Sequence, residues 1–299
     1  METEPVSPLP TLPHKPTLAG DGVSLGYLYA AAGAALFSTK AILIKLAYAE
    51  TISAETLLAL RMGLALPIYL MIGALSLADR ARRHGELPPA KLVIQSALIG
   101  ALGYWLASYA DFLGLQYITA QFERLILFTY PLFVILFGAI FFGQSVRALT
   151  LVAFAVSYIG LALIFTENFS LEGENVAIGS AFVLAAAMAF ALYQLLAKEA
   201  IAKVGPRLFT CIAMLGASAA AFIQFFAVEE ATAILVSPKL FLYGILIALF
   251  ATVLPSFFLS EALHRISAQA NGIIGTLSPL VTIILAALIL GERITMLGI

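Results

Sequence analysis

Residues 114–144 read GLQYITAQFERLILFTYPLFVILFGAIFFGQ, and residues 262–292 read ALHRISAQANGIIGTLSPLVTIILAALILGE. A shift of 148 positions lays one on the other without a gap, and ten of the 31 aligned positions are identical. Matches of Leu, Ile and Ala between greasy segments carry little weight. Gln121 on Gln269, Pro131 on Pro279 and Gly143 on Gly291 carry more, because polar and backbone-restricting residues are scarce in such segments. The chain therefore contains an internal repeat, and a repeat has to be read before the fold.

The 299 residues are 62% hydrophobic and 11% charged, with a mean hydropathy of +1.02. Soluble domains run at roughly 45–50% apolar and about 25% charged, so this is an all-α integral membrane protein. Transmembrane barrels alternate in polarity over segments of about ten residues, whereas the apolar runs here are continuous. They fall at 22–46, 53–77, 91–113, 119–142, 147–166, 177–199, 207–228, 240–262 and 267–290. Residues 1–20 carry five prolines and no apolar core, and read as a disordered cytoplasmic tail. The single cysteine, Cys211, excludes a disulfide within the chain. The net charge of −1 and the lack of a basic run give no footing for nucleic acid.

In the first copy Gln144 leads into a fifth apolar run, Arg147 to Phe165; in the second, Glu292 is followed only by RITMLGI. The expectation is two five-helix repeats, 21–168 and 175–299, with a tenth helix largely missing from this chain. A nine-helix protein is the alternative. Setting Gly26 on Gly179 also pairs Phe37 with Phe190 and Lys45 with Lys198, which extends the match to the first helix of each half. Five is odd, so the halves must enter the membrane from opposite sides, as inverted repeats do in many carriers. With a cytoplasmic amino terminus, ten of the 16 Lys and Arg fall inside and the acidic loops outside, as the positive-inside bias requires.

FSTKAILIKLAY, ETLLALRMGLALPIYL and the two repeated stretches resemble the drug/metabolite transporter superfamily with paired EamA-type domains. The likeness covers about residues 22–299, with Gln144 standing where the family pattern has Glu. It implies a secondary transporter of the inner (plasma) membrane, multi-pass, without a cofactor, exporting amino acids, other metabolites or drugs. It also implies that the fifth and tenth helices are peripheral.

Ionisable groups within a bilayer cost about 2.5–3.5 kcal/mol each on insertion scales, so their positions mark a path. Lys40, Lys45, Arg61, Asp111, Glu123 and Arg124 all fall in the first repeat, and the second offers only neutral Gln194, Gln269 and Asn271 on the matching face. Two readings stand. In one, Lys40, Arg61, Glu123, Arg124, Gln121, Gln194, Gln269 and Asn271 line a central cavity, Arg61 holds a substrate carboxylate by paired hydrogen bonds, and Asp111 or Glu123 takes a coupling proton. In the other, Lys45 snorkels to the interface, while Arg61–Glu123 and Asp111–Arg124 are structural ion pairs. Tyr104, Trp105 and Tyr109 could stack on a ligand or mark the membrane interface; Tyr193 aligns with Lys40 and joins the candidate lining. Pro131 and Pro279 are paired hinge candidates or static kinks.

No metal-ligand spacing links His14, His84 and His264, and no Gly-rich phosphate loop or enzyme signature is present. The expected partners are the lipid bilayer, a small-molecule substrate and, if coupled, protons; a homodimer is left open. A drug or lipid-linked-sugar carrier is the rival within transport, and a non-transporting membrane scaffold subunit the rival outside it.

Overall fold

A computed structural model describes residues 20–84, 87–143, 159, 175–275 and 277–291. These residues are helical throughout their long elements, with no strand among them. In hydrocarbon a helix satisfies its backbone groups within its own segment. The elements are α1 (Gly20–Tyr48), α2 (Ala54–His84), α3 (Ala90–Tyr117), α4 (Ala120–Phe142), α5 (Asn175–Val204), α6 (Pro206–Val228) and α7 (Pro238–Arg265). The last, α8, is built from Ala268–Gly275, Leu277–Leu285 and the π-helical Ala286–Leu290. The first seven are long and apolar enough to cross a membrane, and Leu28, Leu98, Ile223 and Leu288 stand exposed on the outer faces. This is a multi-pass membrane protein. The tail at 1–19, the fifth run at 147–166 (Ile159 apart) and the chain after Gly291, where a shortened tenth helix was expected, lie outside the described residues.

The repeat is visible in the contacts. α1 packs along the second half of α7, and α5 along the second half of α3. A Cβ on Gly26 would sit 2.8 Å from Cβ of Arg265 and 2.9 Å from Ile266, and one on Gly179 would sit 2.9 Å from Cβ of Tyr117 and 2.8 Å from Ile118. Arg265 and Ile266 are the repeat equivalents of Tyr117 and Ile118. Gly26 lies at the end of the bundle where α1 begins, the near end. Gly179 meets the close of α3, three spans later, at the far end. The two copies run in opposite directions through the bundle, an inverted repeat.

Local chemistry repeats as well. The Thr119 hydroxyl accepts from the Phe122 amide at 3.2 Å, and Ser267 accepts from Ala270 at 3.1 Å, so each α3–α4 type junction turns on an extended residue and a hydroxyl cap. Past the cap Phe128–Thr129 interrupts α4 just before Pro131, and Pro279 stands at the matching place in α8. Each third helix of a repeat also contains a π-helical turn, Ala101–Leu106 in α3 and Leu249–Val253 in α7, again 148 residues apart. α2 and α6, the second helices of the two copies, lie against each other at the centre. α3 crosses α6 so closely that a Cβ on Gly100 would fall 2.0 Å from the Ala213 carbonyl oxygen, and one on Gly216 would fall 2.3 Å from that of Ala97.

Candidate functional site

α1, α3, α4, α5, α7 and α8, with Arg61 of α2, surround a cavity within the bundle. The space in which the centre of a water molecule can sit is about 80 Å³, where roughly 10–15 Å³ admits one water. Lys40, Arg61, Tyr104, Asp111, Arg124 and Asn271 all line it. The two π turns supply opposite walls, Gly103 and Tyr104 from one and Ala251 and Thr252 from the other. Such turns interrupt the regular i−4 ladder and recur at functional sites.

The charges pair differently from either expected bridge. Lys40 Nζ lies 2.5 Å from Asp111 Oδ2, joining α1 to α3. Glu123 is fully buried and pairs with its neighbour Arg124, Nε to Oε2 at 3.6 Å, while Arg124 Nη2 donates to the Phe37 carbonyl at 3.2 Å. Arg61, 2% exposed, has no carboxylate within ion-pair distance among the described residues. Its Nη2 donates to the Tyr104 carbonyl at 3.0 Å, inside the π turn, and its guanidinium lies 5.1 Å from the Phe112 ring centre. The bridges Arg61–Glu123 and Asp111–Arg124 are thus not formed, because Lys40 reaches Asp111 first from the facing helix. Three cations and two carboxylates leave one cation over, and Arg61 is that cation. Its Nε, buried, meets no hydrogen-bond partner.

Around the charges runs an aromatic wall that the sequence reading did not name. Phe190 of α5 touches Tyr130, Tyr193 and Phe37, with ring centres 5.2, 5.8 and 6.4 Å away. Tyr193 does not line the cavity; it stands behind it, its hydroxyl donating to that of Tyr104 at 3.3 Å. Gln194 stands behind Asn271, whose Nδ2 donates to Gln194 Oε1 at 2.9 Å. Ser38 and Ser278 share a hydroxyl hydrogen bond of 2.8 Å, and Thr282 donates to the Ser38 carbonyl at 3.1 Å, tying α1 to α8 beside the cavity. The alignment of Phe37 with Phe190 is the one sequence signal that pointed to this wall.

Trp105 and Tyr109 face away. Trp105 Nε1 donates to Gln224 Oε1 on α6 at 2.6 Å, and the Tyr109 hydroxyl donates to Glu55 on α2 at 2.5 Å. Tyr104, Ser108 and Asp111 form the cavity stripe of α3 at helical spacing, and residues one position further on turn toward α2 and α6. Gln121 and Gln269, matched in the repeat, also lie outside the cavity lining. Pro131 lies just past the break in α4, and Pro279 at the equivalent place in α8. Lys198, the repeat mate of Lys45, donates to the carbonyls of Leu263 and Ile266 at 2.8 and 2.6 Å, closing the end of α7.

An inverted-repeat bundle enclosing a small, mostly apolar cavity with charged groups on its wall fits a membrane transporter. The chain belongs to the EamA-like transporter family, whose sequence pattern matches residues 24–166 and again 177–299. An uncharacterized transporter of Bacillus subtilis (strain 168), YcbK, is 28% identical over 283 residues, covering 92% of this chain and 88% of the relative. An uncharacterized transporter of Clostridium kluyveri is 25% identical over 234 residues, 76% of this chain and 75% of the relative. A solved crystal structure shares the fold at a TM-score of 0.65 and 16% identity, covering 92% of this chain and 91% of its own.

Proposed function

We propose that this transporter is a secondary carrier that exports small carboxylate-bearing metabolites, amino acids foremost, by alternating access. The observation that carries this reading is Arg61. A buried guanidinium without a carboxylate partner, on the wall of a cavity, is costly unless a ligand supplies the counter-charge. A substrate carboxylate meets that need through two parallel hydrogen bonds. The aromatic wall of Phe37, Tyr130 and Phe190 would receive the apolar part of the molecule, and Asn271 and Ser278 its remaining polar groups.

The bias of Lys and Arg supports an inner (plasma) membrane location with the amino terminus cytoplasmic, which makes the near end the cytoplasmic one. Asp111, on the cavity wall, and Glu123, buried outside the lining beside Arg124, are the groups we assign to proton coupling. If Asp111→Asn and Glu123→Gln both transport at the wild-type rate with an unchanged pH profile, that assignment is lost.

Counterflow in proteoliposomes tests the carrier and its substrate class together. Unlabelled alanine, leucine, phenylalanine or glutamate is loaded inside, and the labelled compound is offered outside. Accumulation that disappears in folded Arg61→Ala protein is the expected result. Folded wild-type protein that accumulates none of them sinks the carboxylate reading and turns attention to drugs, lipid-linked sugars or a scaffold role.

A further inference from the structure

A second cleft, larger than the first, opens at the near end between α1, α2, the α5–α6 turn and α7. Water-sized centres have about 1030 Å³ there, against about 80 Å³ in the central cavity. One layer of side chains divides the two. Ala30 and Leu259 line the central cavity, while Tyr29 and Phe258, their chain neighbours, line the cleft. The Tyr29 and Phe258 rings meet with centres 5.6 Å apart.

Arg265 covers this layer from the cleft side. Its guanidinium lies 5.2 Å from the Tyr29 ring centre and is held by Glu261, one turn back on the same helix, in an ion pair. Gly26 lets the backbone of α1 come against Cβ of Arg265, which sets the base of the side chain beside α1. Both partners of the pair remain reachable from the cleft, at 21% and 16% side-chain exposure. Arg80, Arg207 and Arg265 outnumber Asp79 and Glu261 on its walls, three against two. Arg80 Nη1 is turned to the Val204 carbonyl at 3.3 Å, and it is the Arg265 guanidinium that lies over the Tyr29 ring.

We propose that this cleft is a second substrate site, the cytoplasmic antechamber of the central cavity, where the substrate carboxylate first lodges on Arg265. The proposal rests on the carboxylate reading and the orientation given above. An arriving carboxylate exchanges with Glu261 on the guanidinium, draws it off the Tyr29 ring, and removes the cation that pins the aromatic layer. Beyond that layer the next unpaired cation is Arg61. The molecule therefore carries two arginines for one carboxylate, placed in sequence along the path.

The test reads sidedness. In a Cys211→Ala background, Ala34→Cys places a thiol in the central cavity, and a membrane-impermeant methanethiosulfonate is added to inside-out vesicles. Arg265→Ala is expected to speed labelling at least about tenfold, since loss of a charged contact of ordinary strength is worth that factor. In parallel, half-saturation for the amino acids of the counterflow panel is measured from each side of the membrane. Arg265→Ala is expected to raise the cytoplasmic value relative to the external one by about tenfold; Glu261→Gln, which frees the guanidinium for substrate, is expected to lower it. Unchanged labelling overturns the antechamber. Faster labelling with an unmoved ratio of half-saturations makes Arg265 a structural latch only and overturns the substrate site. If Arg265→Ala does not fold, Glu261→Gln decides: an unmoved ratio is again fatal. Labelling needs no substrate, so it separates failure of this proposal from failure of the carboxylate reading, which would appear as no counterflow in wild-type protein.

Discussion

Lys40 and Asp111 neutralise each other across the α1–α3 contact, Nζ to Oδ2 at 2.5 Å, with 10% and 1% of their side chains exposed. Breaking such a buried pair from one side typically costs about 3–5 kcal/mol, because a bare charge stays behind, whereas an apolar pair of similar volume is often neutral. Lys40→Met and Asp111→Leu should each lower the unfolding free energy by about that much, and the double variant should recover most of it. Thermal unfolding of the four purified proteins in detergent completes the cycle. Additive losses in the double variant would show that the two side chains do not compensate each other.

The α3–α6 crossing predicts a graded series of glycine substitutions. Gly100→Ala and Gly216→Ala drive a methyl into a backbone carbonyl, which cannot step aside. Gly26→Ala and Gly179→Ala meet side-chain atoms at 2.8–2.9 Å, where overpacking costs about 1–3 kcal/mol. The first pair should lose more stability than the second, and members of a pair should lose about equally. Expression and unfolding temperature read the order directly.

Trp105 is the only tryptophan of the chain, so its emission reports one site. Its indole N–H is satisfied by Gln224. Gln224→Leu removes the acceptor and leaves a more apolar surround, so emission should shift to shorter wavelength and stability should fall by about 1–3 kcal/mol. Counterflow should persist, because neither residue lines the cavity. An unshifted spectrum would mean that the indole keeps another partner.

Pro131 and Pro279, at equivalent places in the two copies, give a test of motion. If they flex together as the copies exchange positions, Pro131→Ala and Pro279→Ala should each slow turnover while leaving half-saturation in place, and by similar factors. Static kinks would leave the rate unchanged in both.

The repeat, the membrane class and the inverted architecture were legible in the sequence because they rest on residues that backbone and bilayer constrain: Pro131 and Pro279, Gly26 and Gly179, and an odd number of apolar runs. The cavity was legible in part. Charge inside lipid is rare enough that Lys40, Arg61, Asp111 and Arg124 announced themselves. Which of them pair was not, because helical spacing fixes a face but not the rotation of one helix against another; Lys40 rather than Arg124 reaches Asp111. Trp105 and Tyr109 show the same limit. Adjacent positions on a helix point about 100° apart, so Tyr104 and Trp105 could not both enter the cavity, and the π turn that decides between them leaves no mark in composition. Phe190 was hidden in an alanine-rich run that reads as packing.

The matched π turns keep the two copies in step. A π turn holds one residue more than an α turn over the same stretch, so a regular helix at Ala101–Leu106 or at Leu249–Val253 would rotate everything beyond it relative to the other copy. The shared irregularity lets the junctions that follow, capped by Thr119 and Ser267, meet their neighbours alike. The third π segment, Ala286–Leu290, faces a plain α-helix at Gly138–Phe142 in the other copy, and there the two differ.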